Sequence, residues 1–377
     1  MAFPVPLDGA DALLIVADSE RNCDLFWATQ FRAPDPFIYI ATQETACVVV
    51  KDLELDRARE QVCDADVVAS SEYEKRLGEN PAAGAVLAEL LRDRGLRRLL
   101  VPEEFPVGIA DRLRAGGFEL SVAQGPLFPA RAVKSAAEIE AIAGAQVAAE
   151  AGMQTAADAL RGATIDGDQL MLDGVQLTAE EVRRRIHHTL LEHGCHAHHT
   201  IVAGGEQGVD PHQSGHGPLA AHQLIVIDIF PQHTTSGYYG DITRTFVRGT
   251  ISPDMQRLYD TVAEAQAVAL GTIRAGVDGH AVHAGVANHF AEAGYDTGDR
   301  DGRMQGFFHG TGHGVGLEIH EAPSLSKRTC MLQTDHVVTV EPGLYYAGLG
   351  GARIEDLVVV EESGYRNLTT FPKDLGL

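Results

Sequence analysis

Four carboxylates stand in runs that otherwise read as buried strands. In HQLIVIDIF (222–230), Asp228 is surrounded by Val and Ile. A carboxylate there costs several kcal/mol unless it is paired or metal-bound. Asp241 follows in YYGDITRTFVRG (238–249), with Thr243, Arg244 and Thr245 behind it. The two runs read as the arms of one hairpin, whose carboxylates can turn to the same face and meet at a cation. Glu341 ends the apolar run VVTVEPGLY, and Glu355 interrupts GARIEDLVVV. Four such groups repel one another strongly, and a pair of divalent metal ions is the simplest way to neutralise them.

A fifth feature is FFHGTGHGVGLEIHE, which sets His309, His313 and His320 among Gly310, Gly312, Gly314 and Gly316. Glycine lets a backbone approach a site closely and adopt positive φ. One of these imidazoles would complete an Asp, Asp, His, Glu, Glu set. Oxygen-rich with one nitrogen, that set suits Mn²⁺, Co²⁺ or Fe²⁺, admits Zn²⁺ and excludes thiolate-preferring metals.

Composition narrows the partners. The 377 residues carry 30 Lys and Arg against 53 Asp and Glu, a formal charge of −23. That balance repels phosphate backbones and anionic lipid, so neither nucleic acid nor a membrane surface is an expected partner. All 17 histidines lie at or beyond His187, which puts the expected chemistry in the C-terminal half. The opening residues MAFPVPLDGADALLIVADSE lack the basic and apolar regions of a secretory signal. The cysteines (Cys23, Cys47, Cys63, Cys195, Cys330) are odd in number and form no CxxC pair, which reads as reduced thiols in a cytoplasm.

The elements that must position these groups fall into two domains, 1–130 and 131–377. In the first, runs at 12–16, 37–41, 46–50, 65–69 and 97–102 read as strands, and 82–95 has helical periodicity. This is a small α/β domain with no evident chemistry of its own. In the second, Ser135 and Glu138 form a capping box for a helix running to about Leu160. Residues 162–174 read as a loop, and Thr178 with Glu181 caps a helix ending near His193. Ser252 with Pro253 starts a third helix, and a fourth begins after Asp278. Strand pairs are expected at 222–230 with 238–249 and at 331–346 with 352–362. The order helix, helix, hairpin thus occurs twice, as two similar halves closing over one sheet.

At DITRTF, HGTGHGVGLEIHE, VEPGLYY and GARIED, the stretch from about 130 to 370 resembles the pita-bread metallopeptidases: prolidase, Xaa-Pro aminopeptidase, methionine aminopeptidase and the non-peptidase creatinase. LFWATQF and ARAVKSAAEIEAI resemble the creatinase/prolidase branch. The resemblance implies an α/β N-terminal domain followed by an α+β pita-bread catalytic domain with a curved, mainly antiparallel sheet. It implies that Asp228, Asp241, His313, Glu341 and Glu355 hold two divalent ions, manganese foremost. Asp241 and Glu355 would bridge, Asp228 would serve one ion, and His313 with Glu341 the other. It also implies that His212, in VDPHQSGHG, lines the substrate pocket, that His309 lies beside the leaving residue, and that His320 bonds near the scissile carbonyl. Arg353 would lie near the carboxylates. The implied activity is hydrolysis of Xaa-Pro bonds in peptides by a metal-bridged hydroxide, with Glu341 moving the proton, in a homodimer.

The chain departs from the family pattern in two places. Ile229 and Phe230 follow Asp228 where a glycine is usual, and the stretch to Asp241 is longer. Lengthening both arms of a hairpin equally preserves which residues face each other. The stretch 167–176 is also long. Two further readings belong to the same fold: a metal-bearing non-peptidase hydrolase or lyase, and a binding module without catalysis. Retention of all five ligand positions counts against a metal-free enzyme and against the module.

Overall fold

In the first unit, β-branched runs alternate with amphipathic stretches, and the strands they form share one sheet. The computed structural model describes residues 7–78 and 83–377, and the chain divides into Met1–Arg131 and Ala132–Leu377. The first unit runs β1 (Ala12–Ala17), α1 (Cys23–Thr29), β2 (Phe37–Ala41), β3 (Ala46–Val50), α2 (Leu55–Gln61), β4 (Asp66–Ala69), α3 (Ser71–Leu77), α4 (Ala83–Asp93), β5 (Arg98–Val101), α5 (Val107–Ala115) and β6 (Glu119–Val122). Residue 82, expected to open the fourth helix, lies outside the described residues. The sheet order is β4-β3-β2-β1-β5-β6, antiparallel among β1, β2 and β3 and parallel elsewhere. Leu14, Ile40 and Leu99 pack with Leu87, Leu90 and Leu91 of α4. The edge strand β6 was not expected, because ELSV is mostly exposed and carries no apolar alternation.

The second unit opens on α6 (Ala136–Gly162), with the Ser135–Glu138 capping box formed. Half of its buried residues are alanine, which lets other chain segments come close. Gly240 uses this: a Cβ there would lie 2.6 Å from the Ala145 backbone. The expected loop at 162–174 is instead an antiparallel meander, β7 (Thr164–Asp166), β8 (Gln169–Leu172) and β9 (Val175–Gln176). Its turns were legible in principle. Asp173 and Gly174 both take positive φ, as a two-residue type I′ hairpin turn requires. The short, exposed strands hid the alternation.

After α7 (Ala179–Glu192), capped by Thr178, come β10 (Cys195–His196), β11 (Ile201–Gly204), β12 (Ile225–Ile229), β13 (Gln232–His233) and β14 (Ile242–Phe246). The antiparallel pair β12–β14 sets Asp228 opposite Thr243. Asp241 lies just before β14 rather than within it. The long connection between the carboxylates does not extend the hairpin arms, since β13 turns aside to pair with β10.

The second half repeats the order. Helix α8 (Pro253–Thr272) is capped by Ser252 and α9 (Gly279–Glu292) by Asp278. Then come β15 (Gly298–Arg300), β16 (Arg303–Gln305), β17 (Gly312–Gly314), β18 (Glu321–Leu325), β19 (Val337–Val340), β20 (Gly343–Tyr346), β21 (Gly350–Arg353), β22 (Asp356–Glu361) and β23 (Gly364–Asn367). The two long strands expected at 331–346 and 352–362 are each broken. Pro342 offers no N–H to a ladder, so β19 ends at Val340 and β20 starts at Gly343. Glu341 and Glu355 sit in the two breaks.

The single sheet expected under both halves is likewise divided. Strands β11-β12-β14 form one ladder, β18-β17-β19-β22-β23 another and β20-β21 a third. They meet where Glu355 N–H donates to Thr243 O (3.0 Å) and Arg353 N–H to Thr245 Oγ1 (3.0 Å). Each half keeps its own apolar core, one under α6 and α7 and one under α8 and α9.

Two stability outcomes follow from this packing. A Cβ on Gly312 would lie 1.9 Å from Thr339 O, whereas one on the helical, exposed Gly144 meets nothing within 4 Å. Gly312→Ala is expected to destabilise by about 1–3 kcal/mol, and Gly144→Ala to stabilise by about 0.5–1 kcal/mol, both read from urea unfolding. The second outcome concerns His336, which is buried and accepts the Gln333 N–H at Nδ1 (3.1 Å). Burial, with help from the Lys134 cation, pushes its pKa down to about 4. The unfolded chain therefore binds the proton first. The stability held by neutral His336, up to roughly 3 kcal/mol, is complete above pH 6.5 and lost as pH falls from there toward 4. His336→Asn, which keeps an acceptor, should flatten the unfolding free energy over that interval by close to one proton.

Candidate metal centre

The strand breaks and the β12–β14 register bring the candidate ligands together. Thr243, opposite Asp228, donates from Oγ1 to Glu355 Oε2 (2.7 Å). His313 on β17 donates its N–H to Thr339 Oγ1 (3.1 Å), and its Nδ1 lies 3.1 Å from Gly314 O. A carbonyl only accepts, so Nδ1 carries the proton and the Nε2 lone pair stays free, the arrangement a metal-ligating imidazole needs. That Nε2 lies 3.5 Å from Glu341 Oε1 and 3.7 Å from Asp241 Oδ2. One ligand atom each from Asp241, His313 and Glu355 lie within 4.8 Å of one another. Asp228 is half committed: Oδ2 accepts from Arg353 Nη2 at 2.7 Å, while Oδ1 is buried with no hydrogen-bond partner.

The electrostatics point the same way. Burial raises the Asp228 carboxyl pKa against the pull of Arg353. Asp241 is raised well above the usual range by burial and then by Glu355, Asp228 and Glu341. Burial and the neighbouring Glu341 and Asp228 do the same to Glu355. Glu341 rises to about 7, chiefly from burial. His313 falls to about 4, from burial and then from His320. An orphaned buried oxygen, a free imidazole lone pair and carboxylates costly as bare anions all fit a divalent cation.

One cavity of about 750 Å³ holds all nine side chains named from the sequence: Asp228, Asp241, His313, Glu341, Glu355, His212, His309, His320 and Arg353. His212 lies on an exposed loop and donates its N–H to Asp210 Oδ1 (3.0 Å). The His320 ring packs edge-on against His313, with centroids 4.4 Å apart. His309 is held neutral, its pKa pushed down to about 3 mainly by burial. Its Nδ1 donates to Gly310 O (2.7 Å).

Sequence reading missed Tyr345. Its hydroxyl donates to His309 Nε2 (2.9 Å) and accepts from Arg353 Nη1 (3.0 Å), while burial lifts the phenol to about 12. Arg353 also donates from Nε to Thr243 Oγ1 (3.1 Å). It thereby joins Asp228, Thr243, Tyr345 and His309 in one network. The β20–β21 hairpin that brings Tyr345 to Arg353 was hidden inside two strands read as unbroken. The five cysteines form no disulfide with one another, and none lines the cavity.

Comparison with known proteins places this site in context. The model of metallopeptidase family M24 matches residues 140–362. An uncharacterised peptidase, YqhT, of Bacillus subtilis is 40% identical over 177 residues, 46% of this chain and 47% of the relative. The Xaa-Pro dipeptidase of Pyrococcus furiosus is 34% identical over 199 residues, 52% of this chain and 54% of the relative. The matched stretch thus spans about half the length of these two relatives. Among solved structures, the X-Pro aminopeptidase of Thermotoga maritima superposes with a TM-score of 0.80 at 25% identity, covering 98% of both chains.

A cation held at this cluster would bind the folded chain alone. Chelation is expected to lower the unfolding temperature, and Mn²⁺ at 100 times its dissociation constant to restore about 2.7 kcal/mol per site. Equal stability of chelated and metal-loaded protein in calorimetry would count against the site.

Proposed function

The chain belongs to metallopeptidase family M24, and we propose that it hydrolyses Xaa-Pro peptide bonds with two divalent ions, manganese foremost, held by Asp228, Asp241, His313, Glu341 and Glu355. Its fold is the pita-bread fold implied by its motifs. The observation that carries the reading is the gathering of three buried carboxylates, the half-buried Glu341 and an imidazole with a free lone pair around a peptide-sized cavity. The names of similar proteins, a dipeptidase and an aminopeptidase acting at Xaa-Pro, support the choice of bond. Cysteines without disulfides suit a reducing compartment, so the proposed location is the cytoplasm.

Divalent ions at these ligands supply Lewis-acid polarisation of the scissile carbonyl and make water acidic enough to attack near neutral pH. The rest is done by the chain. Glu341 takes the proton of the attacking water and returns it to the leaving nitrogen. His320 and His212 hydrogen-bond the substrate around the carbonyl where charge develops. Neutral His309, fixed by Gly310 O and the Tyr345 hydroxyl, flanks the leaving residue. Proline at that position has no amide N–H to place, which suits a pocket built from rings. Arg353 holds Asp228 and Tyr345 in register and leaves Asp228 Oδ1 as an acceptor toward the cavity.

The expected outcome is Mn²⁺-dependent release of proline from Ala-Pro or cleavage of Ala-Pro-Leu, followed by chromatography. His320→Ala should lower kcat by about 10²–10³-fold with bound metal unchanged. A metal-loaded protein that turns over neither peptide would sink the proposal.

A further inference from the structure

Each half of the second unit buries one glutamine directly behind the candidate ligands. Gln146 on α6 and Gln266 on α8 are each 1% exposed, in helix faces otherwise largely apolar. An apolar residue would pack there at no polar cost, so two buried amides call for a reason. Gln146 Oε1 accepts the Asp241 N–H (2.7 Å). Its Nε2 donates to Thr369 Oγ1 (2.9 Å), which in turn accepts the Leu357 N–H (2.9 Å). Gln266 Nε2 donates to Val340 O (2.9 Å) and Ile354 O (3.2 Å), the residues immediately before Glu341 and Glu355. Its Oε1 accepts from Lys373 Nζ (2.7 Å).

The network closes behind Glu355. Lys373 Nζ also lies 2.6 Å from Asp356 Oδ2. Asp356, fully buried, accepts from Arg244 Nη2 (2.9 Å) and Asn367 Nδ2 (3.0 Å). Arg244 Nη1 donates to Glu355 O (2.6 Å). Asp241 precedes its strand, and Glu341 and Glu355 occupy strand breaks. Regular ladders do not run through these points, and buried backbone groups there need other partners. Glu341 and Glu355 bond their own N–H groups to Thr311 O and Thr243 O, and the two glutamines add partners for the Asp241 N–H and for the carbonyls that precede Glu341 and Glu355.

We propose that Gln146 and Gln266 are positioning residues, one from each half, that hold the main chain of Asp241, Glu341 and Glu355 at the spacing a divalent cation requires. The inference rests on the ligand assignment proposed above. It assigns to α6 and α8 a role beyond covering the core: each carries one amide through the apolar layer to the ligand backbone. Partners that orient ligands typically govern metal affinity by about 10–100-fold.

The test is Mn²⁺ titration of metal-stripped full-length protein by calorimetry, beside the unfolding temperature of the metal-free form. Gln146→Met and Gln266→Met are expected to weaken Mn²⁺ binding by about 10–100-fold. Leu258→Ala on α8, a buried apolar truncation, is the control: it should lower the metal-free unfolding temperature yet leave Mn²⁺ affinity as in the wild type. Thr369→Val removes only the hydroxyl behind Gln146 and should weaken binding by a smaller factor. It carries the test if the glutamine variants fail to fold. Unchanged affinity in the variants, or a loss no larger than in the control, overturns the inference while the ligand assignment stands. A wild type that binds no divalent ion overturns both.

Discussion

Mutual repulsion among buried carboxylates is the constraint on which the second unit is built. Asp228, Asp241, Glu341 and Glu355 line one cavity, and burial raises the cost of charge on each. Among the described residues that line it, Arg353 carries the one guanidinium, and it reaches Asp228 alone of the four by hydrogen bond. The arrangement is therefore poor as a self-contained salt-bridge cluster and good as a receptor for cations. Thr243, Thr339 and Tyr345 are arranged around that need, as donors and acceptors that fix the ligands and pocket rings without adding net charge.

Fold and site share a device, the interrupted strand. A regular strand sends alternate side chains to opposite faces and uses all its backbone groups in the ladder. Ending β19 at Val340 and starting β22 at Asp356 frees Glu341 and Glu355 from that alternation. Both can then turn toward Asp241, itself placed before β14. The cost is backbone left without ladder partners, met here by side chains from helices and from the residues that follow β23.

Much of this was legible in the sequence. A charge inside an apolar run is a strong signal, because burial leaves it few explanations, and Asp228 and Glu355 carried it plainly. Capping chemistry placed the starts of α6, α7, α8 and α9, since Ser, Thr and Asp side chains before helical periodicity have one common use. What escaped was structure whose signal is weak or long-range. The meander at 164–176 exposes most of its residues, so hydrophobic patterning was faint. The breaks at Glu341 and Glu355 hid inside apolar runs that read as single strands. Tyr345 could not be assigned until the β20–β21 hairpin set it beside Arg353. Gln146 looked like any polar residue in an Ala-rich helix.

The span of the contacts at the site governs how the protein is made. Arg353 and Asp228 are 125 residues apart in sequence, and Gln146 and Thr369 are 223 apart. Contacts of that range close only after the entropy of long loops has been met, which slows folding. During synthesis the first half emerges with Asp228 and Asp241 while the strands that flank Glu341 and Glu355 are still untranslated. Its apolar ladder and two of its buried charges then wait, uncovered, for the second half, a stage in which exposed strand edges favour association. The centre that organises the finished molecule is thus among the last parts of it to form.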